Sequence, residues 1–480
     1  MPTAKSLLPE GFALGVAISG FQAEGGFNGP GEPANNWARF ERLARVEPSG
    51  IAVGWWDLAD EYLDRAASLG CDMVRLGIEW ARIEPAEGEY DQAAVDGYVS
   101  MIEGCRKRGM RPLVTLHHFT HPEWLGEDFW LSPESPARFA GFAQKMVPLL
   151  APHCEHWVTL NEVNAVAMAT YLFGLFPPAR NFAIDDSITA SANLLAAHVA
   201  TYDILHRVQP GAFVTTNNAG ISLYELDRQF TDILLARRSG IKREDLVGWL
   251  ESRRNEWYGL IAPPKPLESL ARSLSKKLSL AGRPEPSAAG RAFAKAVDAI
   301  YESSNECTLD FVGFDYYDPV ASNHVSIPGS RTAGGRNWSV AQPLWDDAPD
   351  PSGLTLYCHA HSKMSPGLPI WIVENGMCTR VRNGRAYPRI DGWDRPRYIR
   401  ENVGAALRAL DEGVPLGGYL HWSLVDNYEW GSYQPRFGIY GVDRERGIRI
   451  LETDAAGHDA AGAYRRVIEG LRNGDRSVVS

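Results

Sequence analysis

The chain has 480 residues, 45% of them hydrophobic and 22% charged, the composition of a globular protein able to bury a large core. Its formal net charge of −11 excludes the broad basic face that neutralises phosphates, and with it general nucleic-acid binding. No stretch reaches the ~18 apolar residues of a membrane span, so no integral membrane segment is expected.

The first residues, "MPTAKSLLPEGF", have no apolar signal core, and the six cysteines contain no C-x-x-C pair. Both features predict a reduced, cytoplasmic protein. The acceptor-like "NWS" at Asn337 is then idle. Short apolar or β-branched runs follow in order: "FALGVAIS" from Phe12, "CDMVRLGI" from Cys71, "RPLVTLHH" from Arg111 and "HWVTLNE" from His156. Four more are "AFVTTNNA" from Ala212, "DFVGFDYY" from Asp310, "PIWIVENG" from Pro369 and "GGYLHWSL" from Gly417. Between them run helix-period stretches, among them "DLADEYLDRAASLG" and "PRYIRENVGAALRALDEG", each stopped by a glycine as a helix C-cap is. Strand-helix alternation implies parallel pairing, and eight units are the count of a closed (β/α)8 barrel. A dinucleotide-binding sheet is disfavoured because no Gly-x-Gly-x-x-Gly turn follows the first strand. One α/β barrel over residues 1–480 is expected, with an atypical helical insertion at about 224–286.

In such a barrel the polar residues at the C-terminal strand ends face the site. Here those ends carry Arg75, His117, His118, Asn161, Glu162, Asp315, Tyr317, Glu374 and Trp422. Glu162 and Glu374 end the fourth and seventh strands, 212 residues apart in sequence but able to face each other across the mouth. Two carboxylates flanking a sugar are the working parts of a glycosidase, with ~5–5.5 Å between them for retention and ~6.5–9.5 Å for inversion.

The motifs "SGFQAEGG", "VRLGIEWARIEP", "VTLHHFTHPEWL", "TLNEV", "DFVGFDYY", "VENG" and "HWSLVDNYEWGSYQPRFGIYGVD" resemble glycoside hydrolase family 1, the β-glucosidase and β-galactosidase family, across nearly the whole chain. The resemblance implies a retaining double displacement with no cofactor or metal. Glu374 would attack the anomeric carbon and Glu162 would serve as acid/base. Arg75 and Tyr317 match residues that contact the nucleophile. Gln22, His118, Asn161, Glu429 and Trp430 match residues that bind the non-reducing sugar, with Trp422 as the platform beneath it and Phe437 in the same set. Phospho-sugar members replace the glutamate matched by Glu429, so an unphosphorylated β-glycoside, glucosyl in the first instance, is the expected substrate.

The chain departs from the family pattern at four places. Val163 replaces a proline, which loosens the loop after the acid/base, and Asp315 stands where asparagine is usual. A third carboxylate there either raises its neighbours by like-charge repulsion or is itself protonated. "YEWGSYQPRFG" is one residue short, and the segment from Tyr224 to Pro286 is unusual. Within that segment Leu267, Leu270, Leu274 and Leu278 share a helical face, with Arg272, Lys276 and Lys277 beside them. The stripe reads as a helix covering the barrel, or else as an apolar wall for a hydrophobic aglycone such as a glycolipid.

Rival readings are weaker. His117, His118 and His121 suggest a metal, but adjacent strand residues point to opposite faces and no H-x-H ends the first strand. Arg380, Arg382 and Arg385 read as a solvated loop or as a rim of the aglycone entrance. Transglycosylation uses the same two carboxylates, and a non-catalytic sugar-binding barrel would be expected to lack one of them.

Overall fold

The structure is a computed structural model and describes residues 5–261, 273, 276–283, 286–317, 349–382, 385–389, 391–445 and 447–479. Its central strands are β1 (Ala13–Ala17), β2 (Met73–Gly77), β3 (Arg111–Thr115), β4 (His156–Val158), β5 (Phe213–Thr215), β6 (Asn217–Ala219), β7 (Val312–Tyr316) and β8 (Ile370–Asn375). A short hairpin of β9 (Thr379–Arg382) and β10 (Arg385–Ala386) precedes the last of them, β11 (Leu416–Trp422). The sheet order is β5-β4-β3-β2-β1-β11-β8-β7-β6, parallel throughout. Its two ends, β5 and β6, are separated only by Thr216, so the sheet closes on itself as a (β/α)8 barrel.

The fifth predicted strand is therefore two pieces. Thr215 Oγ1 donates to Phe311 O at 2.8 Å and Thr216 Oγ1 to Leu160 O at 2.7 Å. These hydroxyls engage main-chain carbonyls of the two neighbours just where the strand changes partner from β4 to β7, and such local bonds compete with a regular ladder.

One helix of the outer ring follows each strand unit, including Trp55–Ser68 after β1, Gln92–Lys107 after β2 and Arg395–Asp411 after β8. The Asp91 and Asp394 side chains accept backbone N–H bonds at the starts of the second and third of these, the usual N-cap role. Outward strand residues such as Val74, Leu76, Ile370 and Ile372 pack in the large core between strands and helices. Inward residues, among them Met73, Leu113, Trp371 and Leu420, fill the barrel itself, so it is a packed plug.

The connection from β6 to β7 contains helices Arg228–Leu235 and Leu246–Leu260. Arg228 is wholly buried, pairs with Asp232 at 2.8 Å and donates to Met364 O at 2.8 Å, tying the connection to helix Pro351–Met364. Leu267, Leu270, Leu274 and Arg272 lie outside the described residues, as does Asn337. Leu278 is buried against Met168, Leu172 and Leu226, as a covering segment would be. No helix among the described residues is long and apolar enough to cross a membrane.

Candidate active site

The mouth of the barrel gathers carboxyls, amides and rings from the strand ends. Glu374 is on β8, whose inward residues are Trp371 and Val373. Strict alternation would turn Glu374 outward. Instead the pairing slips: Phe314 faces Ile372 while the next residue, Asp315, faces Glu374, and on the other side Tyr419 and His421 face Ile372 and Asn375. The extra residue is a β-bulge, and it re-aims the Glu374 carboxyl into the mouth. Immediately beyond, a side chain on Gly376 would meet Trp422 O at 1.9 Å, so only glycine lets the exit of β8 pass the end of β11.

Arg75 Nη1, from β2, donates to Glu374 Oε1 at 2.6 Å, and the Tyr317 hydroxyl donates to Glu374 Oε2 at 2.8 Å. Thr115 Oγ1 accepts from Arg75 Nε at 3.0 Å and holds the guanidinium in place. Burial pushes the Glu374 carboxyl up, and the Arg75 charge with the Tyr317 and Arg75 hydrogen bonds acts against it.

Glu162 ends the segment after β4 and opens helix Val163–Tyr171 in a left-handed conformation, φ 39° and ψ 64°. Such a backbone costs a non-glycine residue about 1–3 kcal/mol and persists only where the surroundings enforce it. Val163 is fully buried as the first residue of the helix, so the loop that its replacement of proline was expected to loosen is a helix start packed into the core. Burial first, then the Glu374 charge, raises Glu162 to about 8. Glu162, Glu374 and Asp315 each place a carboxylate oxygen within 4.8 Å of the others. A hard cation can be held by such a trio of oxygens. Here Arg75 already supplies a positive charge to Glu374.

Asn161 joins the two sides. Its Oδ1 accepts from Arg75 Nη2 and from Asn217 Nδ2, and its Nδ2 donates to His118 Nε2 at 3.2 Å. The His118 ring lies between Trp422 and Trp430, near parallel to both at centroid distances of 5.6 and 5.7 Å. Burial and the nearby Arg75 charge hold His118 neutral. Glu429, raised to about 8 by burial, accepts from Trp422 Nε1 at 3.2 Å, with Gln22 as a further partner. Phe437 is buried edge-on to Tyr317. Amides, a neutral imidazole and carboxyls beside indole faces suit sugar hydroxyls and the apolar C–H face of a pyranose.

The model of the glycosyl hydrolase family 1 family matches residues 4–456. The chain belongs to glycosyl hydrolase family 1. It is 26% identical to 6-phospho-beta-galactosidase 1 of Streptococcus pneumoniae over 93% of this chain and 96% of that protein. It is 25% identical to the beta-galactosidase of Sulfolobus acidocaldarius, covering 91% of each. Among solved structures, the beta-glucosidase from Thermotoga maritima in complex with castanospermine superposes with a TM-score of 0.70 at 25% identity, over 98% of this chain and 99% of that one.

All eleven residues read from the sequence as site candidates of a family 1 barrel lie in this mouth or its wall. His117 does not: it points outward, edge-on to Trp130 and Phe139, and His121 bonds Gly126 O, so the three histidines form no ligand set. Arg380 is on β9, in register with Pro435, and the side chains of Arg382 and Arg385 are outside the described ones. Sequence reasoning missed Asn217 on β6, which donates to both Asn161 and Asp315. It is a strand-end polar residue, and the rule that found the others reaches it once the fifth strand is broken at Thr216.

Proposed function

We propose that this family 1 enzyme is a retaining β-glycosidase of terminal, unphosphorylated β-glycosyl residues, with Glu374 as nucleophile and Glu162 as acid/base. The observation that carries the assignment is the unequal company of two buried carboxyls whose oxygens come within 4.8 Å. Glu374 receives a guanidinium and a phenol, which favour its ionised form, whereas burial and the Glu374 charge keep a proton on Glu162. Oxygens this close are in keeping with the roughly 5–5.5 Å carboxyl separation of retaining enzymes rather than the roughly 6.5–9.5 Å of inverting ones.

In the first step Glu374 bonds to the anomeric carbon as the glycosidic C–O bond breaks, and the Glu162 proton passes to the departing oxygen. In the second, Glu162 takes a proton from water as the water oxygen replaces Glu374 on that carbon, restoring both groups. An alcohol in place of water gives transglycosylation at the same site.

Support for an unphosphorylated sugar is chemical. Glu429 accepts from the indole of Trp422, the sugar platform, so a carboxyl stands where a phosphate dianion would need a cation, and no lysine follows Lys363 in the chain. The test is a panel of nitrophenyl β-glucosides and β-galactosides, each with and without a 6-phosphate, read by proton NMR for the product anomer. Turnover of the unphosphorylated sugars with net retention is expected. Turnover confined to 6-phosphosugars overturns the substrate assignment, and an inverted product overturns the mechanism.

A further inference from the structure

Asp315 is fully buried on β7, paired in register with Glu374 of β8. Its Oδ2 accepts from Asn217 Nδ2, while its buried Oδ1 receives no hydrogen bond from any described donor. An oxygen of the same carboxyl lies within 4.8 Å of one on Glu162. Two ionised carboxylates are acceptors only, so a bond between Asp315 and Glu162 requires a proton on one of them, and it gives the orphan oxygen a role. The charged and titratable groups facing Asp315 are Glu162 from the end of β4, Glu374 from β8, Arg75 from β2 and Tyr317 just past β7. Arg75, the one cation of that set, is directed at Glu374 and Asn161.

We propose that Asp315 is a positioning residue that stays protonated through the cycle and donates its O–H to Glu162. The proposal rests on Glu162 being the acid/base. When Glu162 gives its own proton to the departing oxygen, the negative charge left on it is received by the Asp315 O–H. When water later returns a proton to Glu162, Asp315 has neither gained nor lost one. Burial, together with the neighbouring Glu374 and Glu162 charges, pushes Asp315 well above the ordinary carboxylate range, in keeping with a neutral donor. A protonated carboxyl and a primary amide present the same pair here, an oxygen that accepts from Asn217 and an X–H that donates to Glu162. Asparagine is therefore expected to substitute for Asp315, and leucine is not.

The experiment compares the pH dependence of kcat/KM for the parent, Asp315→Asn, Asp315→Leu and Glu162→Gln, each checked for folding by thermal melting. Two substrates are used: a phenyl β-glycoside, whose departure needs the acid, and a dinitrophenyl β-glycoside, whose departure does not. With the phenyl substrate, the alkaline limb of Asp315→Asn is expected within about half a pH unit of the parent, and that of Asp315→Leu about one unit or more higher, because Glu162 loses the donor that favours its ionised form. If the leucine variant does not fold, Asp315→Ala carries the same expectation. Asparagine and apolar variants moving together, up, down or not at all, overturn the proposal; a common fall means that Asp315 is an anion. Survival of the parent alkaline limb in Glu162→Gln overturns instead the underlying assignment of Glu162.

Discussion

Two sides of the mouth can be compared directly, because each presents one carboxyl at nearly the same burial, Glu374 at 4% and Glu162 at 8% exposure. On the β2–β8 side the carboxyl meets a cation and a phenol, and behind it Asn375 is held by Tyr398 and Tyr419 at 2.8 and 2.7 Å. On the β4–β7 side its neighbour is another acid, Asp315, which accepts from the Asn217 amide. Burial alone would make both carboxyls neutral. The donors around each then set them apart, which is what a double displacement requires.

The most severe way to break the comparison is to remove the proposed nucleophile. Glu374→Ala is expected to lower turnover by at least ~10⁴-fold, because the attacking atom is gone. Azide should restore part of the rate and give an α-glycosyl azide, identified by NMR. The other side fails differently. Glu162→Ala should cost ~10²–10⁴-fold on a phenyl β-glycoside, the usual worth of a positioned acid, while a dinitrophenyl substrate keeps a fast first step and stalls in the second. Azide should then yield the β-product, and the same anomer from both variants would refute the assignment of roles.

Arg75→Met tests whether the guanidinium is what favours the ionised form of Glu374. Removing one partner of a buried ion pair typically costs about 3–5 kcal/mol of stability, to be read from urea melts. In the surviving folded protein, loss of the cation raises Glu374, so the acid limb of kcat/KM should move to higher pH.

Left intact, the acid side has its own signature. As the proposed acid, Glu162 has to be protonated for the first step, so kcat/KM should fall as pH rises through about 8. Its folded pKa lies above the unfolded value, which makes the folded state bind more protons. Its contribution to stability is therefore largest below the unfolded pKa and is lost as pH climbs from about 4.5 towards about 8. Thermal melts across that window check the sign. The smallest effect expected is from chelation: the proposed steps use only protons and the two carboxyls, so exhaustive EDTA should leave the rate within error. Loss of activity restored by a divalent cation would assign the carboxylate trio to a metal instead.

Much of this was legible before any coordinates. Short apolar or β-branched runs, helix-period stretches and glycine stops report short-range physics, and they mark eight strand-helix units and the polar residues at their ends. The motifs carry the family, and with it the pairing of Glu162 and Glu374. The break at Thr216 was not legible, since it depends on which neighbouring carbonyls the threonine hydroxyls reach. Asn217 was missed for the same reason, and the helical stripe at Leu267, Leu270 and Leu274 lies outside what the structure describes.

The run "PIWIVENG" shows where the boundary falls. Its composition determines a buried strand that ends on a carboxylate and then a glycine, and by its own alternation that carboxylate should point away from the site. Only the pairing of β8 with both β7 and β11 inserts the bulge that turns Glu374 inward, and only the meeting of β4, β6 and β7 brings Asp315 against Glu162. Register is a property of strands taken together. A side chain's direction, and the proton it holds, follow from neighbours that lie far away in the chain.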